Sequence, residues 1–193
     1  MADLGLVRPK MNTPSKAERI SFWQHSYARA SFIQTRLFID LLLRVDPPTN
    51  DTFRRALTIA IVVAYCRPFK QREPVRLPKS LVPVQFRDAH DSTEEIRDKV
   101  IAHRDLDGPV TDWGFISQIQ VIVQSKQITT PTINSIITND KARDLIPLLD
   151  YLIEKMEEAQ DAFAHRYLPP FVSTEASYVI SLDDDPEQWL IPT

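Results

Sequence analysis

Thirty residues, from Ser15 to Arg44, pass without a proline or a glycine. Proline inside a helix removes a hydrogen bond and clashes with the preceding turn, and glycine costs backbone entropy. A stretch free of both is therefore open to one long helix. Ile20, Trp23, Tyr27, Ala30, Ile33 or Arg36, Leu37 and Leu41 follow steps of three and four along it. That spacing predicts an apolar stripe serving as core or as dimer interface. Ser15 and Glu18 stand at capping-box spacing at its start.

The prolines collect at the joints. Asp46-Pro47-Pro48-Thr49-Asn50 breaks the chain, and Thr49 or Asn50 can cap a second helix over 51–67. Leu57, Ile59, Ala60, Ile61, Val62, Val63 and Ala64 make that helix apolar on most sides, as expected of a central buried element. Pro68, Pro74, Pro78 and Pro83 mark a long connection. Arg67, Lys70, Arg72, Arg76 and Lys79 make it locally basic, which reads either as a phosphate-binding strip or as a solvated loop, with Phe69 as its core anchor. A helix from 82 or 84 to 104 follows, with Asp91-Ser92 as a place where it splits in two. Residues 109–138 turn β-branched; a helix over 113–125 is expected, with a short β-hairpin within 115–133 as the alternative. Asn139 or Asp140 then starts the last helix, 141–167. Its stripe of Leu145, Leu148, Leu149, Leu152, Ile153 and Met156, with Phe163 beyond, suits antiparallel packing on the first or second helix.

The expected fold is all-α, an up-and-down helical bundle of four to five helices over 13–168. A flexible arm, 1–12, precedes it, and a tail, 169–193, follows. In the tail, Asp183-Asp184-Asp185 reads as solvated, and Trp189, Leu190 and Ile191 as docking on a partner subunit.

Composition removes several function classes. A formal net charge of -3 is not that of a protein coating nucleic acid, so any such contact has to be local. Gly5, Gly108 and Gly114 are the only glycines, and neither a G-x-G-x-x-G loop nor a Walker A loop can be written from them. Cys66, the only cysteine, lies in an apolar run and reads as a buried structural thiol; this suits a reducing compartment. The run from Ala56 to Cys66 is about half the length of a membrane span. The expectation is a cytoplasmic protein with no membrane contact. His25 has Arg29 at the fourth position, and the aspartate run lacks a calcium-loop pattern, so neither a metal site nor a cofactor is expected.

One segment gathers chemically capable side chains: Glu94-Glu95-Ile96-Arg97-Asp98-Lys99-Val100-Ile101-Ala102-His103-Arg104-Asp105. Ser92 and Glu95 hold capping-box spacing, Ile96, Val100 and Ile101 offer a core face, and Gly108-Pro109 ends the helix. Arg97 and His103 are six residues apart, which at about 100° per residue leaves them roughly 120° apart on a regular helix. They meet only if the helix ends or loosens near His103, or if a second copy supplies the other half. His90 would lie about 20 Å from His103 along a continuous helix and is not expected to act with it.

Arg97-Asp98-Lys99-Val100-Ile101-Ala102-His103 resembles the Arg-polar-x(4)-His motif of the HEPN superfamily of helical proteins, and is similar in wording to bacterial members linked to phage defence and toxin–antitoxin systems. The resemblance implies a metal-independent endoribonuclease site of Arg97, Asp98 and His103 at a homodimer interface, with RNA as substrate and an antitoxin or other protein as further partner. Lys99, Arg104, Arg72 and Arg76 are the candidates for flanking phosphates. His103 is the expected base or acid, Arg97 the phosphate ligand, and Asp98 the group orienting either of them. Many HEPN members do not cleave. The alternatives are a non-catalytic helical dimerisation module binding nucleotide, RNA or protein, and a purely structural set of helix charges.

Overall fold

The computed structural model describes residues 13–45, 51–72, 74–98, 122–124, 127–129, 137–168, 177–183 and 189–192. The protein is an all-α bundle with short hairpins. The first helix, α1 (Lys16–Arg44), forms as the proline-free stretch predicts. Ser15 Oγ accepts from the Glu18 N–H at 3.2 Å, and the Glu18 carboxylate accepts from the Ser15 N–H at 2.9 Å, closing the capping box. α2 (Asp51–Cys66) and α4 (Asn139–Tyr167) both pack on α1, which is thus the hub of the bundle in place of α2. Arg54 reaches the Leu42 and Val45 carbonyls while Tyr65 lies against Phe32, so α2 runs antiparallel to α1. Ser26 with Gln160, and Arg29 with Glu157, set α4 antiparallel to α1 as well. Thr138 caps α4 one residue earlier than expected.

The core lies where these helices meet. Ala28, Phe32, Ile39 and Leu42 of α1 bury against Leu57, Ile61, Val62 and Tyr65 of α2 and Leu145, Leu148, Leu149 and Leu152 of α4. Part of the stripe expected as core or dimer interface faces outward, away from the core. Trp23 is 40% exposed, Leu37 57% and Leu41 44%. The buried face of α1 carries Ser31 and Thr35 in its place, with the Thr35 hydroxyl donating to the Ser31 carbonyl at 2.8 Å. A hydroxyl satisfied by its own helix costs little to bury.

The connection after α2 is built from three 3₁₀ turns, Arg67–Phe69, Lys79–Leu81 and Val84–Phe86, and α3 (Arg87–Glu95) follows. Phe69 is the core anchor expected of it, buried against Phe32, Tyr65 and His90. Ser92 does not cap a helix. It sits inside α3 and donates to the Asp88 carbonyl at 2.7 Å, so neither its capping box with Glu95 nor the split at Asp91-Ser92 forms. Residues 99–121 lie outside the described residues, and with them the end of this segment at Gly108-Pro109.

The β-branched stretch contains a hairpin, β1 (Ile122–Gln124) antiparallel to β2 (Gln127–Thr129), with Val123 opposite Ile128. Over Ile122–Gln124 the helix expected at 113–125 is therefore replaced by strand, the conformation that β-branched residues such as Ile122 and Val123 favour. The tail forms a second hairpin, β3 (Tyr178–Ile180) with β4 (Leu190–Pro192). Trp189 docks on its own chain, packed with Phe163 and Tyr167 of α4, which corrects the expectation of a partner subunit. Asp183 is exposed, and its carbonyl accepts from the buried Arg19 guanidinium at 2.6 Å.

Glu18 joins this end together. The Tyr167 hydroxyl donates to it, and with the Ser15 N–H this holds its carboxyl down at about 2. A depressed carboxyl stabilises above its unfolded value, near 4.5, and that contribution is lost as pH falls towards about 2. Glu18→Gln is accordingly expected to lower the melting temperature by a few degrees at pH 7. The gap from the parent should close as pH falls below about 4.5 in a thermal melt series.

Candidate functional site

α3 carries the charged residues of the segment to the surface of the bundle, and its geometry changes where they begin. The α-helix ends at Glu95, and Ile96, Arg97 and Asp98 form a π-helical turn. The Ile96 N–H reaches both the Ser92 and Thr93 carbonyls, and the Ile96 side chain is buried in the core. A π turn widens the helix, and such turns recur at functional sites. The 120° separation of Arg97 and His103 belongs to a regular α-helix, which Arg97 and Asp98 do not form. His103, Lys99 and Arg104 themselves lie outside the described residues.

Arg97 and Asp98 are brought together. Arg97 Nη1 donates to Asp98 Oδ1 at 2.8 Å, and Lys70 Nζ donates to Asp98 Oδ2 at 2.8 Å. Burial works to raise the Asp98 carboxyl, but these two cations outweigh it and hold the group below the usual aspartate range. Both Arg97 and Asp98 stay partly open to solvent, so the guanidinium is fixed in place while still facing outward. This placement suits a phosphate ligand more than a proton carrier.

Behind this pair lies a group that the sequence reading passed over. Glu94, one turn before Asp98, is 4% exposed. Lys70 Nζ stands 3.4 Å from its Oε1, and Lys79 contacts its Oε2. His90, four residues before Glu94, is equally buried, and its Nδ1 is 2.7 Å from the Tyr65 hydroxyl. Burial pushes the Glu94 carboxyl up, yet the bond from Lys79, with His90 and Lys70 beside it, leaves it below its ordinary value. Burial pulls the His90 imidazole down, and the fields of Glu94 and Asp91 do not restore it. The His90-to-Glu94 spacing was the available signal. It was missed because glutamate on a helix is ordinarily solvated, and the lysines that bury it come from the preceding connection.

The basic connection therefore divides. Lys70 and Lys79 serve as counter-ions for Asp98, Asp91 and Glu94. Arg72 and Arg76 are exposed and make no ion pair with a described residue. α1 holds the connection in place, Gln24 donating to the Arg76 carbonyl at 2.8 Å and Tyr27 accepting from Gln71 at 3.1 Å. Cys66 accepts no functional role. Burial, with Glu94 nearby, pushes its thiol up to about 12, so it stays protonated and inert as the sequence suggests.

These features define a helical-bundle protein with an arginine–carboxylate pair at a π turn, braced by a buried ion network. No helix of the described residues is long and apolar enough to cross a membrane. No family model, curated protein or solved structure matches the chain.

Proposed function

We propose that the protein is a metal-independent endoribonuclease of HEPN type, working as a homodimer. One observation carries the reading: Arg97 is held by Asp98, which is braced by Lys70, on a turn where regular helical geometry has just ended. That arrangement fixes a permanently charged, bidentate donor beside the segment that leads to His103. In the proposed reaction His103 removes the 2′-hydroxyl proton, the 2′-oxygen attacks phosphorus, and the P–O5′ bond breaks as the His103 imidazolium gives a proton to the leaving 5′-oxygen. A 2′,3′-cyclic phosphate and a 5′-hydroxyl end result. Arg97 neutralises the charge that builds on the phosphorane oxygens. Arg72 and Arg76, exposed on the connection that supplies Lys70, extend the cationic surface towards flanking phosphates, alongside Lys99 and Arg104 in the sequence. The outward stripe of Trp23, Leu37 and Leu41 on α1 supports the dimer, since an exposed apolar row on a long helix is a candidate for a second copy.

Pure protein incubated with total RNA in EDTA should produce cyclic-phosphate ends. His103→Ala and Arg97→Ala are each expected to reduce cleavage by roughly 10²–10⁴-fold, the usual contribution of a positioned acid–base group, with the fold intact. Cleavage that survives His103→Ala places the reaction elsewhere. RNA affinity without turnover, weakening as salt rises, supports the non-catalytic binding module. The double neutralisation of Asp98 by Lys70 and Arg97, which suits positioning and not proton transfer, favours that module as the second reading.

A further inference from the structure

The face of α3 at His90, Asp91 and Glu94 has donors that the ribonuclease reading does not use. His90 Nε2 is buried without a hydrogen-bond partner among the described residues, whereas Glu94 Oε1 faces Lys70 Nζ at 3.4 Å. A buried polar atom without a partner is costly, and an unpartnered imidazole nitrogen beside two carboxylates calls for a ligand. One ligand atom each from His90, Asp91 and Glu94 lie within 4.8 Å of one another. His90 Nε2 is 3.7 Å from Glu94 Oε2. Two ligands of a tetrahedral zinc with bonds of about 2.1 Å stand about 3.4 Å apart, so this pair is already close to the required spacing.

We infer that His90, Asp91 and Glu94 form a binding site for a divalent first-row cation of the zinc class, with Lys79 as its competing internal cation. Three lines of geometry converge on it. First, the Tyr65 hydroxyl, 2.7 Å from His90 Nδ1, fixes the ring as outer partners do for metal-bound histidines. With Nδ1 protonated towards Tyr65, Nε2 carries a free lone pair. Second, a cavity of about 430 Å³ opens beside the ring, lined by Lys79, Ser80, Arg87, His90 and Asp91, with room for the ion and a fourth ligand from water. Third, the Lys79 ammonium already marks where a cation is wanted. It contacts Glu94 Oε2 and lies 3.9 Å from Asp91 Oδ1, between the two carboxylates. Lys79 is 55% exposed, so it can swing into solvent and leave two negative charges for a doubly charged ion. Lys70 stays engaged with Asp98. One imidazole and two carboxylates form a nitrogen–oxygen donor set that suits Zn²⁺ and, as a spectroscopic substitute, Co²⁺. Through Glu94 the site shares Lys70 with the Arg97–Asp98 pair, but it does not depend on the ribonuclease reading.

The test is titration of the untagged chain with Co²⁺, read by visible absorption, followed by displacement with Zn²⁺. Lys79 and Asp91 are both exposed, so Lys79→Gln and Asp91→Asn should fold, which circular dichroism checks. The parent is expected to take up a single equivalent of Co²⁺ and to release it to Zn²⁺. Lys79→Gln should tighten binding several-fold by removing the competitor. Asp91→Asn should weaken it by about 10-fold or more, since even outer partners of a metal contribute that much. No cobalt band in the parent or in Lys79→Gln overturns the proposal. So does failure of either substitution to shift affinity in its stated direction, which would place the ion at other groups.

Discussion

A chain carrying Lys70→Ala and Lys79→Ala together is expected to lose about 3–5 kcal/mol of stability at pH 7, the cost of leaving a buried charge without its partners. Glu94 is the reason. Its side chain is 5% exposed, while Lys70 and Lys79 are 24% and 55% exposed. The cations can turn to water when their partner goes; the carboxylate cannot. Glu94→Leu should therefore cost less than the double lysine change, since it removes the buried charge together with its pairs and leaves Lys70 on Asp98 and Lys79 near Asp91. The dependence on pH has a definite sign. In the parent the Glu94 carboxyl is depressed, so its contribution is present above its unfolded value and fades as pH falls through the folded one. With both lysines gone, burial, the largest influence, is opposed by His90 without the lysines and moves the carboxyl up, which makes the ionised group a penalty above the unfolded value. The difference between parent and variant should thus be large at pH 7 and small near pH 4. Urea denaturation at the two pH values measures it, and an equal loss at both would rule out Glu94 as its source.

Phe32→Ala should destabilise by a similar amount for a different reason. Phe32 is wholly buried, with ring centroids 6.2 Å from Tyr65 and 5.9 Å from Phe69. Truncation removes the transfer energy of the ring and leaves a cavity between three helices, costing about 3–5 kcal/mol. For a chain of this size that corresponds to a fall in melting temperature on the order of 10 °C. The loss should also spread. Phe69 packs edge-on against His90 at 4.7 Å and precedes Lys70, so a looser Phe69 reaches the ion network through both neighbours. Faster hydrogen exchange at Lys70 and Glu94 in Phe32→Ala would report that coupling, and unchanged exchange there would confine the damage to the core.

The long helices were legible because their signals are local. Ser15 and Glu18 close a capping box within one turn, and the absence of proline to Arg44 lets the helix run. Which face of α1 turns inward was not legible. That helix has two apolar rows, and the inward one holds Ser31 and Thr35 while the outward one holds Trp23 and Leu37. Hydropathy favours the second row; the positions of α2 and α4 decide for the first. At the site, the pairing of Arg97 with Asp98 lies within two residues of sequence, but Lys70 stands 28 positions from Asp98. The burial of Glu94 is likewise supplied from a distance, by Lys70, Lys79 and the bundle. The π turn at Ile96 leaves no composition signal at all, since it arises from how Ile96 is drawn into the core.

The connection between α2 and α3 is fastened near both of its ends. Lys70 and Lys79 meet on the one Glu94 carboxylate, and the Leu77 N–H donates to the Pro68 carbonyl at 3.0 Å. Between these fastenings α1 holds Gln71 and the Arg76 carbonyl. Lengthening a closed loop costs only about 0.6 kcal/mol for each doubling. An insertion here is expected to leave α3 undisturbed, so long as the two lysines still converge. Substitution at the exposed Arg72 and Arg76 changes the surface while the scaffold beneath it stays the same.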